Sequence, residues 1–252
     1  MPSPTSDVEP VLTKAQSTLL AFLFDAQPTL IAAPLTRWVA TSARYTAFVE
    51  TYKDKIRKKL RVTREKEAIE DLFYELQIPF LLLQERRFDL AYEPYLSGKT
   101  RGPDFSVTFR TNFAFNIEVT HVRGLRKALS APTEAAIDFR LIDVLCGKLR
   151  QMLPKMANLL MIEVSPDALE QLDPAAQVAW VKDKAESRDQ RFYARHRFLS
   201  PADFFKYYRR LSALVLYNSA NERKPVVWLN PQAGVSLPDA IKTILQRGFT
   251  QS

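Results

Sequence analysis

The most regular pattern in the chain is a pair of strictly alternating runs, residues 104–110 and 113–120. In both runs the odd-numbered positions are apolar and the even-numbered positions are polar or small, as expected for strands with two different faces. Thr111-Asn112 between the runs is typical of a turn, so the pattern predicts an antiparallel β-hairpin. The apolar positions are Phe105, Val107, Phe109, Phe113, Phe115, Ile117 and Val119.

Periodicity elsewhere predicts helices and strands around this hairpin. Short helices are expected in 11–52, and a helix at 64–77 is followed by a buried strand that starts at 79–83. The later elements are a helix at 135–152, a buried strand at 159–164, a helix at 174–187 and strands at 213–217 and 226–229. This order predicts an α/β protein whose mixed sheet carries helices on its faces.

The same pattern divides the chain into three parts. Residues 1–10 contain three prolines and are expected to form a flexible tail. Residues 11–61 are expected to form an N-terminal helical segment. Residues 62–252 are assigned to one α/β domain with a C-terminal extension.

Composition excludes several classes of protein. The apolar fraction of 46% and the charged fraction of 25% are those of a globular chain. One cysteine and two histidines leave no disulfide framework or multi-thiolate zinc site, and the six glycines form neither a phosphate loop nor a dinucleotide fingerprint. The apolar run at 19–24 is too short to span a bilayer, and acidic residues precede it, unlike in a secretory signal. A soluble, cytoplasmic protein without a membrane partner is therefore expected.

The charge balance points to a polyanionic partner. The net charge is +8, and the excess is concentrated in segments 53–64 and 188–210, each of which holds seven basic residues. Such basic segments are typical of nucleic-acid binding, although a solvated helix face is the alternative. The residues selected for this role are Arg57, Lys58, Lys59, Arg123, Arg195 and Arg197. Aromatic residues interleave 188–210, where Phe192, Tyr193 and Tyr207 are candidates to stack on bases and about half of the aromatics are expected in the core.

The register of the hairpin brings two acidic residues together. Placing both apolar sets on one face pairs Phe105 with Ile117, which sets Asp104 opposite Glu118. Directly opposed side chains lie about 5 Å apart, so the two carboxylates would repel each other unless a cation compensates. A hard divalent ion with oxygen ligands would do so. The alternative is a pair of solvated acids at the fraying end of the hairpin.

The segments Gly102-Pro103-Asp104-Phe105 and Ile117-Glu118-Val119-Thr120 resemble the motif of the PD-(D/E)xK nuclease superfamily. The resemblance covers about residues 62–165 and implies a restriction-endonuclease-like fold. It also implies that Asp104 and Glu118 bind Mg²⁺, or Mn²⁺, for attack on a phosphodiester. The usual lysine of the motif is replaced here by Thr120, which carries no charge.

Two further residues are assigned to this site. At about 100° per residue, Glu65 lies on the apolar stripe of its helix and is preferred as a third acidic ligand, with Glu70 second. Its alternative role is electrostatic stabilisation of the helix N-terminus. Lys148 flanks the apolar stripe of the helix after the hairpin and can supply the missing cation, as the following helix does in some members of the superfamily. Arg123 is the next candidate.

The resulting hypothesis is a metal-dependent nuclease that hydrolyses phosphodiester bonds in nucleic acid, with DNA as the expected substrate. The alternative is a catalytically inactive nucleic-acid-binding module on the same fold, and an unrelated scaffold for protein contacts is a third interpretation. The sequence does not determine the oligomeric state, and a homodimer is left open.

Overall fold

The computed structural model describes residues 11–25, 30–95, 102–122, 138–219 and 223–248. The chain divides into two compact units, Met1–Leu83 and Gln84–Ser252. The expected tail at 1–10 lies outside the described residues. Within the described ranges no helix is both long and apolar enough to cross a membrane.

The first unit is helical. Its helices are α1 (Lys14–Phe24), α2 (Ala32–Thr41), α3 (Ala43–Val62) and α4 (Lys66–Leu82). Its core includes an aromatic group in which the ring of Phe80 lies 5.6 Å from that of Trp38 and 5.7 Å from that of Tyr45. The buried Tyr45 hydroxyl donates a hydrogen bond to the Leu76 carbonyl (2.9 Å), which joins α3 to α4.

The prediction that a strand starts at 79–83 is wrong, because these residues complete α4. The run is buried almost throughout, and burial on several sides removes the periodicity that distinguishes a helix from a strand. Helix α4 also packs its aromatic residues on α2 and α3, so the helical unit extends to Leu83 rather than ending at residue 61.

The second unit is built on a mixed sheet. Its described strands are β1 (Phe88–Tyr92), β2 (Phe105–Phe109), β3 (Phe113–His121), β4 (Ala157–Glu163), β5 (Leu211–Tyr217) and β6 (Val226–Leu229). These six strands lie in sequence order. The pairs β1–β2, β2–β3 and β5–β6 are antiparallel, whereas β3–β4 and β4–β5 are parallel. The predicted α/β class with a mixed, helix-flanked sheet is thereby confirmed, although β1 was not predicted.

Helices cover the sheet face that carries the even-numbered residues of β3. The helices of this unit are α5 (Phe139–Leu149), α6 (Pro166–Gln171), α7 (Pro174–Glu186), α8 (Gln190–His196), α9 (Pro201–Tyr208) and α10 (Asp239–Arg247). Apolar residues of α5, α7, α8 and α9 form one buried cluster with Leu160 and Ile162 of β4. Since Glu118 pairs with Leu160 in register, Glu118 points to this helix-covered face. The face predicted to be polar is therefore buried at Asp104, Asn116 and Glu118.

Candidate active site on strand β3

The hairpin has the predicted register as far as its last strand pair. Asp104 and Glu118 would be the next pair beyond it. Phe105 pairs with Ile117, and Asp104 lies one residue before β2. The Asp104 carboxylate turns to the backbone of β3, where Oδ2 accepts a hydrogen bond from the Val119 N–H (2.8 Å). Asp104 is 5% exposed, and its main-chain carbonyl accepts from the Glu93 N–H (2.7 Å). The first of these bonds attaches the Asp104 side chain to Val119, the residue that follows Glu118 in β3.

Lys148 reaches Glu118 from α5. Its Nζ lies 2.5 Å from Glu118 Oε1, in a contact that is both a hydrogen bond and an ion pair. The Glu118 side chain is 1% exposed, whereas the Lys148 side chain is 21% exposed. The long lysine side chain therefore runs from the helix surface to a carboxylate that water does not reach. The predicted approach of Lys148 to the acidic pair is present in the structure.

In addition to the divalent ion expected from the sequence, groups of the protein itself reduce the repulsion between these acids. Lys148 compensates the charge of Glu118 directly, and the backbone N–H of Val119 compensates that of Asp104. Hydrogen bonds to charged groups are stronger than neutral ones. Removing either carboxylate should therefore lower the stability of the metal-free protein rather than leave it level.

A buried amide extends the polar row on β3. Asn116 is fully buried two residues before Glu118, and its Oδ1 accepts a hydrogen bond from the Tyr95 hydroxyl (2.9 Å). Its Nδ2 donates to Asn158 Oδ1 on β4 (3.1 Å). Asn116 is one of the even-numbered positions of the hairpin. The sequence alone does not indicate that its side chain is buried and hydrogen-bonded.

Gly102 is required by close packing next to this row. A Cβ atom at Gly102 would lie 2.6 Å from the Cβ of Tyr95, a separation at which one backbone must move. We expect Gly102→Ala to lower the free energy of unfolding by about 1–3 kcal/mol, as overpacking does elsewhere. Chemical denaturation measures this cost. Gly147→Ala on α5 is the matched control, because nothing lies within 4 Å of a Cβ there; equal effects of the two changes would contradict the packing argument.

Two other site predictions have different outcomes. Glu65 is exposed and is the N-cap residue of α4, without a side-chain capping bond, so the prediction that it faces the core is wrong. The helix begins at Lys66, later than assumed, which leaves Glu65 outside the helical phase. Glu70, the second choice, is half-buried. Arg123 lies outside the described residues.

Several of the predicted nucleic-acid-binding residues have acidic partners within the chain. Arg57 pairs with Asp25 (2.6 Å) and Lys59 with Glu75 (2.5 Å), while Lys58 is exposed. The Arg195 guanidinium binds both carboxylate oxygens of Asp143, which lowers the pKa of that carboxyl. Arg197 is exposed. These pairs reduce the charge that Arg57, Lys59 and Arg195 can offer to a polyanion.

The prediction that Phe192 and Tyr193 stack on bases is wrong. Phe192 is 3% and Tyr193 is 8% exposed, and both belong to the buried cluster beneath α8. Tyr207 is half-buried at the surface of α9. Short helices that pack their aromatic faces inward explain why these residues are interleaved with exposed arginines.

A buried acid at the carboxyl end of β4 was not selected by the sequence pattern. Glu163 is 5% exposed, and burial raises its pKa to about 7, against the opposing effect of hydrogen bonds from Ser219. The Ser219 N–H and hydroxyl each donate to Oε1 at 2.9 Å, and the Asn218 amide donates at 3.3 Å. The sequence feature that could have identified this buried acid is a single glutamate in an otherwise apolar strand.

The oxygen donors of this site suit magnesium better than a metal whose ligands are all protein side chains. Within the described ranges, no group of three or more His, Cys, Asp or Glu side chains is arranged to hold a metal ion. The candidates are therefore the two carboxylates, Asp104 and Glu118. Magnesium is commonly held by one or two carboxylates, with water and substrate phosphates completing its coordination. Two buried hard-oxygen donors fit that requirement.

Comparisons with protein families, curated proteins and solved structures find no match to this chain. Any function must therefore be argued from the site itself.

Proposed function

We propose that this chain is a metal-dependent nuclease of the PD-(D/E)xK type that hydrolyses phosphodiester bonds in nucleic acid, with DNA as the expected substrate. The observation that carries the proposal is the 2.5 Å contact of Lys148 Nζ with the buried Glu118 carboxylate. It supports the idea that a lysine from the following helix takes the place left by Thr120. A restriction-endonuclease-like arrangement of the mixed sheet is part of the same proposal.

The residues divide the work as follows. Asp104 and Glu118 would hold Mg²⁺ or Mn²⁺ through their carboxylate oxygens. The bound ion would act as a Lewis acid and lower the pKa of a coordinated water. Lys148 would place a positive charge beside Glu118, where it can stabilise negative charge that develops on the phosphate. The backbone of Val119 keeps the Asp104 carboxylate oriented through its N–H.

A non-cutting nucleic-acid-binding module is the second candidate, and the same ion pair favours it. The Lys148 ammonium already places a positive charge 2.5 Å from Glu118 Oε1. A carboxylate with a lysine at this distance needs a metal ion less, and such a pair can persist without catalysis. The two candidates differ in whether divalent ions bind and whether substrate is cut.

We expect Asp104→Ala and Glu118→Ala each to remove Mn²⁺ binding while the protein stays folded. Each change deletes one of two carboxylates that are proposed to share the ion, and calorimetric titration measures the binding. Far-ultraviolet circular dichroism provides the check on folding. The exposed Asp89→Ala is the matched control and should bind as the unmodified protein does. Unchanged binding in both site variants would refute the metal site.

A further inference from the structure

Cationic and aromatic side chains form a surface patch at the C-terminal end of α5, which we call the arginine patch. It consists of Arg150, Lys206, Tyr207 and Arg210 around the ring of Phe198, which is 3% exposed. The Arg150 guanidinium lies 5.1 Å from the Phe198 ring centre and 5.4 Å from the Tyr207 ring centre. The guanidinium of Arg210 lies 4.7 Å and the ammonium of Lys206 lies 5.5 Å from the Tyr207 ring.

Backbone hydrogen bonds hold two of these cations in place. Arg150 donates to the Arg197 carbonyl, and Arg210 donates to the Met152 carbonyl (2.9 Å). Neither carbonyl carries a formal charge, so both guanidinium groups keep their positive charge. Asp203 is a nearby acid, at 3.9 Å from Arg150. The patch thus combines Lys206 with two arginines that backbone carbonyls hold in place, and the 3.9 Å contact of Arg150 with Asp203 is looser than the 2.5 Å pair of Arg195 with Asp143.

The patch continues into a neighbouring groove. A groove of about 720 Å³ between α8 and α9 is lined by Arg188, Arg197 and Phe198, among others, and Phe198 belongs to the patch as well. Arg150 follows Lys148 by two residues, so one helix end carries both the site lysine and the patch arginine. About 200° of helical rotation separates these two side chains, one directed to Glu118 and the other to the surface.

We propose that the arginine patch binds the phosphate backbone of a nucleic-acid strand. Cations lie within reach of the Tyr207 ring, so the ring orients them rather than stacking on a base. Binding through phosphates is independent of base sequence and depends strongly on salt. This inference rests on the proposed function for the identity of the ligand, but its test does not require cleavage.

The test measures the affinity of a fluorescent single-stranded oligonucleotide across a salt series, with chelator present so that no cleavage occurs. We expect Arg150→Gln combined with Arg210→Gln to reduce the logarithmic salt slope by about 1.4, since each phosphate contact on a single strand contributes about 0.7. Arg150→Lys combined with Arg210→Lys keeps both charges and should keep the slope. This second variant also guards against loss of folding as the cause.

Two controls distinguish a defined patch from diffuse charge. Lys224→Gln combined with Lys242→Gln removes the same formal charge from the region of β6 and α10 and should leave the slope unchanged. An oligonucleotide whose bases are replaced by abasic sites should bind nearly as well as the normal strand. A loss of roughly tenfold or more with the abasic strand would show that bases are stacked, and would overturn the backbone assignment.

The remaining outcomes separate this inference from the proposed function. An unchanged salt slope in the glutamine variant would overturn the assignment of binding to the patch. A reduced salt slope on neutralising Arg57, Lys58 and Lys59 instead would place binding on the helical unit. Patch-dependent binding without cleavage in magnesium supports the patch and refutes the nuclease. Absence of any binding by the unmodified protein overturns both.

Discussion

Replacing Lys148 by alanine is expected to reduce nucleic-acid cleavage by roughly 10²–10³, the loss that follows removal of one preorganised group that stabilises transition-state charge. Affinity for Mn²⁺ should stay level or increase, because the variant lacks the cation that occupies Glu118 Oε1. The measurements are initial cleavage rates with magnesium and manganese on single- and double-stranded DNA and on RNA, together with calorimetric titration of the metal.

Lys155→Ala is the matched control for this prediction. Lys155 is an exposed lysine in the turn before β4, and its loss should leave the cleavage rate unchanged. Full activity of the Lys148 variant would refute the assignment of the missing cation to α5. If the unmodified protein binds metal but cuts none of these substrates, the non-cutting module is the correct interpretation.

The same ion pair has an expected effect on stability that does not depend on activity. Lys148→Ala removes the ammonium group that lies 2.5 Å from the Glu118 carboxylate, a side chain that is 1% exposed, whereas Glu118→Ala leaves a lysine that can extend into water. Because Lys148 is partly exposed, we expect its loss to cost about 2–3 kcal/mol, below the usual range for breaking a fully buried pair. Comparing both single variants with the double variant isolates the coupling between the two residues.

A second large effect is expected from Glu163 when pH is changed. Its pKa is about 7 in the folded protein, compared with an ordinary value of 4.5. The folded state therefore holds a proton between these two values that the unfolded state has released, and the free energy of unfolding must fall as pH rises through this window. Between pH 4.5 and a pH above 7, Glu163 lowers the free energy of unfolding by about 3 kcal/mol. Below pH 4.5 its contribution to the free energy of unfolding is constant.

Urea denaturation at several pH values tests this prediction, with Glu163→Gln as the variant. The glutamine keeps an acceptor for the Ser219 N–H and hydroxyl but has no charge to bury. It should be more stable than the unmodified protein above pH 7 and should lose the pH dependence that Glu163 causes. An identical pH dependence in both proteins would show that Glu163 does not titrate in this window.

The alternating pattern of the hairpin was sufficient to determine its register. A shift of one residue would turn every apolar side chain to the other face, so the sequence permits few pairings, and the observed pairs Phe105–Ile117 and Phe109–Phe113 are those predicted. The same register selected Asp104 and Glu118. The resemblance directed attention to the helix after the hairpin, and its helical phase placed Lys148 at the edge of the apolar stripe, from which a lysine can reach either the surface or the sheet.

Local patterns failed where burial was uniform or where a helix boundary was uncertain. The apolar residues at 79–83 continue α4, because a fully buried segment shows no period. Glu65 was placed on a buried stripe because the predicted helix begins at residue 64, two residues before the observed start at Lys66, and helix ends are the least certain part of such a prediction. Phe192 and Tyr193 were candidates for stacking, and only their packing beneath α8 shows them to be core residues.

By itself, then, the sequence predicted the α/β class and the hairpin, because these depend on periodicities that repeat along the chain, whereas the choice of the three candidate site residues also depended on the resemblance to a family motif. Only the tertiary structure decided that Glu118 is buried and that Lys148 of α5 reaches it, which makes Glu118 the partner of a lysine instead of a solvated acid. It also decided which cations have close acidic partners and which, like Arg210, are held by an aromatic ring and a backbone carbonyl. The physical reason is that burial and charge pairing arise between elements distant in sequence, where no local pattern records them.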